Sequence, residues 1–133
     1  MKELKRFGVS IEKELQAKFD SHIKEKGYTN RSEAIRDLIR EELIKKEIEG
    51  DKEIAGVITI VYNHHQRELV NRITDIQHDF YHNIIGSLHI HLDDDNCLEI
   101  IAVKGVVLDI KKLANKLKAT KGIKHTTLSM TTK

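Results

Sequence analysis

The chain of 133 residues contains no proline, no tryptophan and a single cysteine, Cys97. One thiol cannot form an intrachain disulfide framework, so a small domain here must draw extra stability from a metal or from a partner chain. Without proline, low-complexity tracts or an internal repeat, there is no sign of a stiff linker or a repeat array. The longest apolar-rich run, Ile54–Tyr62, falls far short of the roughly 20 residues of a membrane span, so no membrane partner is expected. Met1–Arg6 lacks an apolar core, and no secretory signal is expected. A cytoplasmic, reducing setting follows as the expectation. A Gly-rich phosphate loop, a His-Glu-x-x-His pair and a nucleophile matched with a base are all missing, which argues against the commoner enzyme classes.

Charge of one sign is also lacking. The 23 basic and 21 acidic residues leave a net charge of +2, with 12 basic against 11 acidic before Gly50. Gross electrostatics therefore do not suggest nucleic acid, and any such argument rests on local arrangement. The length suits one ordinary domain or two small ones near the limit of roughly 60 residues. Charge crowds out apolar residues over Lys45–Glu53 around Gly50, which reads as a hinge between a domain of residues 1–48 and another of 49–133.

In the first domain Phe7, Val9 and Ile11 alternate with Arg6, Gly8 and Ser10, the period of a strand with one buried face. Ser10 is placed to cap a helix running to about Lys26, which carries Leu15, Phe19 and Ile23 on one side and stops at Gly27. Asn30 caps the next helix with Glu33 at the capping-box position, and Ala34, Ile35, Leu38, Ile39 and Leu43 form its stripe. A lone strand cannot satisfy its own backbone, so a second copy is expected to complete an antiparallel ribbon. Such a ribbon fits the major groove of DNA, and the helix start at Asn30, Arg31 and Ser32 would offer N–H groups to a phosphate. A plain dimerisation ribbon, with Arg6 merely solvated, explains the pattern equally well.

These residues resemble a known family. Arg6-Phe7-Gly8-Val9-Ser10, followed by Gly27-Tyr28-x-Asn30-Arg31-Ser32-Glu33-Ala34-Ile35-Arg36-Asp37, is similar to the ribbon-helix-helix domain of nickel-responsive transcriptional regulators. The resemblance sets Arg6, Gly8 and Ser10 where the family's ribbon contacts bases, with Gly8 at a position that usually carries a hydroxyl. Asn30 and Arg31, read from the helix start, complete the expected DNA-binding set.

The second domain reads as a strand at Ile54–Tyr62, a helix from Arg67 to about Phe80 and a strand at Ser87–Leu92. An Asp93–Asn96 turn, a strand at Cys97–Val103, a helix at Leu108–Lys118 and a strand at Ile123–Met130 follow. The βαββαβ order is that of a ferredoxin-like, ACT-type α+β domain. His89 and His91 share one face of their strand, and Leu88, Ile90 and Leu92 the other. If Leu98, Ile100 and Ala102 join those leucines and isoleucine on the core face, Cys97 and Glu99 share the face of the histidines. Two imidazoles and a thiol make a soft, nitrogen-rich metal site. Solvated histidines beside a small buried cysteine are the bland alternative. With three ligands and Glu99 as a base, the site would suit catalytic zinc; with a fourth ligand it would be a sensor or a clamp. His78 is a candidate for that fourth place, and His22, His64, His65, His82 and His125 are expected on the surface.

Here too the resemblance speaks, because Gln77-His78, His89-x-His91 and Cys97-Leu98-Glu99 match the family's nickel site in type and spacing. It implies His89, His91 and Cys97 from one subunit and His78 from a neighbour, with one Ni(II) per subunit. Three imidazoles and a thiolate in a plane suit Ni(II) or Cu(II) better than tetrahedral zinc. The resemblance further implies a homotetramer, a dimer of dimers, that represses nickel-uptake or nickel-use genes at a double-stranded operator with two half-sites. Family members also bind potassium where the domains meet, matching Glu33 and Asp37; ordinary helix-surface carboxylates are the other reading. A metal-binding enzyme or chaperone, and an amino-acid-sensing ACT regulator, are the alternative functions.

Overall fold

The structure, a computed structural model, describes residues 2–50 and 53–132. The chain divides into two compact units, residues 1–42 and 43–133.

The first unit has no regular secondary structure from residue 2 up to α1 (Lys13–Lys26); α2 (Arg31–Ile48) follows and runs past the boundary into the second unit. Residues 7–11 have no strand pairing within the chain, and the expected ribbon strand is one whose ladder partner a second copy must supply. The expected Ser10 cap is corrected. Glu12 is the N-cap residue, and its carbonyl accepts the first helical bond, from the Gln16 N–H at 3.0 Å. Gly27 ends α1 at φ 79°, a left-handed conformation that costs a residue without Cβ little. Asn30 does cap α2, with its Oδ1 accepting the Glu33 N–H at 2.9 Å. Among the described residues of this unit only Ile23 and Ala34 are buried, while Phe7, Val9, Ile11, Leu15, Leu38 and Ile39 remain exposed. This unit has an apolar face without a core of its own.

The second unit runs β1 (Glu53–Asn63), α3 (Arg67–Asp79), a 3₁₀ turn at Tyr81–Asn83, β2 (Ile84–His91), β3 (Asn96–Val106), α4 (Val107–Ala119) and β4 (His125–Thr131). The strands form one antiparallel sheet in the order β2-β3-β1-β4. That is the expected split-βαβ topology, with small shifts in boundary. Ile123 belongs to the turn before β4, where Gly122 sits at φ 102° and the Ile123 N–H bonds the Thr120 carbonyl. Of the expected hinge, Lys45–Ile48 are the end of α2, and residues 51 and 52 lie outside the described residues.

The core face is the opposite of the one expected. Leu69, Ile73 and Ile76 of α3 and Ile110, Leu113 and Leu117 of α4 pack with Ile54, Ile58, Ile60 and Tyr62 of β1. The register pairs Ile58 with Ile101, Ile60 with Glu99 and Tyr62 with Cys97. Directly opposed residues share a face, so β1 pulls Cys97, Glu99, Ile101 and Val103 under the helices. Leu98, Ile100 and Ala102 are left on the open face beside Leu88 and Ile90. The central strand decides, because its apolar column is the stronger one.

Candidate metal centre

The hairpin β2–β3 brings the sequence candidates together. His91 stands directly across from Cys97, and His89 across from Glu99, so all four share one face. The hairpin turn is held by Asp93, whose Oδ1 accepts the Asp95 and Asn96 N–H groups at 2.9 and 2.7 Å. The Asn96 side-chain amide adds bonds to both oxygens, and these contacts hold the Asp93 carboxyl down at a pKa of about 2.

Cys97 is buried at 1% exposure, whereas His89 and His91 on the edge strand face solvent. The Cys97 Sγ lies 4.0 Å from His89 Nδ1. On the other side of the same ring, Nε2 is 3.6 Å from Glu99 Oε1, just beyond hydrogen-bond distance. Nδ1 also stands 3.5 Å from the Tyr62 hydroxyl, so Glu99 and Tyr62 flank the ring on both of its nitrogens. Neighbours of this kind commonly orient a ligating histidine.

Glu99 is itself 1% exposed, an unusual depth for a carboxylate. Two donors meet it: the Tyr62 hydroxyl reaches Oε1 at 2.7 Å and Gln77 Nε2 reaches Oε2 at 2.5 Å. Burial, and then the bond to Glu99, push the Tyr62 phenol far above its ordinary pKa, so it stays a donor. Tyr62 and the role of Gln77 are absent from a reading of the sequence alone. The available signal was that Tyr62 ends the buried column of β1, where its hydroxyl needs a partner.

His78 lies exposed on the last turn of α3, its ring 6.3 Å from that of Tyr81. No described hydrogen bond or ring contact joins it to His89, His91 or Cys97. Among the described residues, no three His, Cys, Asp or Glu side chains of one chain close around a common point. The chemistry of the donors, a thiol with imidazoles, fits a borderline or soft ion such as Ni(II). His64 stacks on His91 with centroids 4.6 Å apart, and the Nε2 atoms of His64 and His65 each lie 2.9 Å from the Asp94 carbonyl oxygen.

The candidates in the first unit sit apart from this face along the chain. Arg6, Gly8 and Ser10 lie exposed in the irregular segment before α1, and Asn30 is exposed at the start of α2. Arg31 is held by Asp20 through two 2.8 Å bonds, which lower the Asp20 pKa and raise that of Arg31. Glu33 accepts the Thr29 hydroxyl at 3.0 Å; Asp37 accepts the Tyr28 hydroxyl at 2.8 Å and an Arg40 N–H at 3.0 Å. Both carboxylates proposed for potassium thus already have partners within their unit.

Comparison with known proteins agrees with this architecture. Residues 55–131 match the NikR C terminal nickel binding domain, and residues 5–46 match the ribbon-helix-helix proteins of the copG family. A protein of Syntrophus aciditrophicus named "Putative nickel-responsive regulator" is 59% identical over 98% of this chain and 95% of its own length. One of the same name from Pyrococcus furiosus is 56% identical over 96% of this chain and 93% of its own. Among solved structures, the uncharacterized protein TM1266 from Thermotoga maritima shares the fold at a TM-score of 0.54 and 15% identity, over 59% of this chain and 98% of that one. With both of its halves matched and its length nearly spanned at such identity, this chain belongs to the family of nickel-responsive, ribbon-helix-helix transcriptional regulators, which bind DNA and are not enzymes.

Proposed function

We propose that this nickel-dependent regulator is a repressor of nickel-uptake or nickel-use genes. Its ligands are Cys97, His89 and His91 of one chain and His78 of a neighbour, one ion per subunit. Residues 1–48 form the DNA-binding domain and residues 49–133 the nickel-binding and tetramerisation domain. The observation that carries this reading is the pairing of His91 with Cys97 and His89 with Glu99, which gathers two imidazoles and a buried thiol at an edge strand. Three donors on one chain, with His78 exposed elsewhere on α3, favour a site completed between chains. Bound there, nickel supplies the bond that holds two subunits in one arrangement.

The rest of the chain follows from that arrangement. The exposed Phe7, Val9 and Ile11 support an antiparallel ribbon shared by two chains, with Arg6, Gly8 and Ser10 on its outward face. A homotetramer carries two such ribbons and meets a double-stranded operator through two half-sites. Asn30 and Arg31 contact the phosphate backbone, and Glu33 and Asp37 are the candidate potassium ligands. No described helix is long and apolar enough to cross a membrane, and we place the protein in the cytoplasm.

Subunit mixing tests the shared site. His78→Ala and His89→Ala chains each lack a ligand at every site, but exchange creates some sites with all four. The planar nickel–thiolate absorption is expected to return on mixing, together with nickel-dependent retardation of operator DNA. Proven exchange with no return of the absorption would rule out the site between chains.

A further inference from the structure

His78 is exposed on the last turn of α3, and the residues on either side of it are held to the rest of the unit. Gln77 reaches inward, its Nε2 donating to Glu99 Oε2 at 2.5 Å. Asp79 and Phe80 both meet Lys116 of α4. The Lys116 Nζ lies 3.9 Å from Asp79 Oδ2 and 5.9 Å from the centre of the Phe80 ring. A few residues on, Asn83 Nδ2 donates to the Lys104 carbonyl oxygen at 3.2 Å.

Helix geometry puts Lys116 in reach of α3. The buried stripe of α4 is Ile110, Leu113, Ala114 and Leu117. At 3.6 residues per turn, positions 111, 115 and 118 fall on one flank of that stripe, beside β4, and position 116 falls on the other. Among the described residues, Lys116 is the one lysine of α4 with an ion pair and the one that lies over an aromatic ring. Phe80 is a fixed platform for it. The ring packs against the core, and the Phe80 N–H closes α3 on the Gln77 carbonyl at 3.1 Å.

We infer that Lys116 is a positioning residue for His78: by fastening Asp79 and Phe80 to α4, it sets where the last turn of α3 presents the imidazole to a neighbouring chain. The inference rests on the reading of His78 as a nickel ligand shared between chains. A helix end that is already held leaves less ordering for the metal to impose, so the ligand it carries binds more tightly. Charge alone predicts the opposite. An ammonium repels a cation, and removing it should tighten nickel binding if it acted only through its field. The direction of the change therefore separates positioning from electrostatics.

The test is a nickel titration of the full chain in competition with a chelator, followed by the nickel–thiolate absorption. Glutamine is a comparable helix former and position 116 is exposed, so Lys116→Gln removes the two contacts and keeps α4. An exposed ion pair and an exposed cation–π contact are each weak, so nickel affinity should fall only about three- to tenfold. Lys116→Arg can keep both contacts and should stay within about twofold of the parent. Lys112→Gln removes the same charge from the outward face of the same helix and should also stay within about twofold. Combined with His78→Ala, Lys116→Gln should change the residual affinity by less than about twofold, because the group it acts through is gone. Unchanged or tighter nickel binding in Lys116→Gln would overturn the inference. So would an equal loss with and without His78, which would make Lys116 a support of the fold alone. If His78→Ala by itself left the affinity and the absorption of the parent, the ligand assignment would fall and the inference with it.

Discussion

Glu99→Gln should weaken both the fold and the metal site. The buried carboxylate of Glu99 accepts from Tyr62 at 2.7 Å and from Gln77 at 2.5 Å, one donor on each oxygen. A carboxamide has one oxygen, so whichever way it turns, one of those donors meets an NH₂ group. Losing a bond to a charged acceptor costs about 1.5–3 kcal/mol, and relief from burying the charge offsets part of the further penalty of an unmatched donor. A net loss of about 2 kcal/mol would lower the melting temperature by about 8–16 °C for a domain of this size. Tyr62→Phe removes one donor and should cost about 1–2 kcal/mol. The two changes act on one bond, so the double variant should show a coupling of about 1 kcal/mol in urea unfolding of the metal-free protein. Nickel affinity of Glu99→Gln should fall about 10–100-fold as His89 loses the group that orients it. A variant within about 0.5 kcal/mol of the parent, with no coupling to Tyr62, would refute a satisfied buried carboxylate and the orientation of His89 built on it.

Cys97→Ser is expected to keep the fold and abolish the near-ultraviolet thiolate–nickel band, because a neutral hydroxyl is a poor donor to a soft site; absorption of the loaded protein checks it. Arg6→Ala should cost about 1–3 kcal/mol of specific binding per half-site while nickel loading and the oligomer persist, read by footprinting at moderate salt. Protons compete for each imidazole and for the thiolate, so nickel affinity should fall as pH drops through the histidine range, as competition titration would show. The Asp93 carboxyl titrates at about 2, below its ordinary 3.8, so it stabilises the β2–β3 turn above that range. That contribution should vanish as pH falls toward about 2, and faster exchange of the Asp95 and Asn96 amides would register it.

Much of this protein is decided by residue order. Period two placed His89 with His91 and Cys97 with Glu99, and any register that keeps the hairpin antiparallel preserves those pairs. Asn30 could be read as a cap and Gly27 as a stop, since both act within a few residues of themselves. The βαββαβ order needed only the alternation of periods along the chain. Which face of the hairpin is buried was another matter. Leu98, Ile100 and Ala102 look more like a core than Cys97 and Glu99 do, and only the pairing of Tyr62 with Cys97 and Ile60 with Glu99 turns them outward. Burying a glutamate also required Tyr62 and Gln77 to arrive from β1 and α3, across 37 and 22 residues of chain that no local pattern spans. At the other end, Phe7 to Ile11 has strand chemistry but no ladder, because a strand is a property of two segments and one chain supplies only the first.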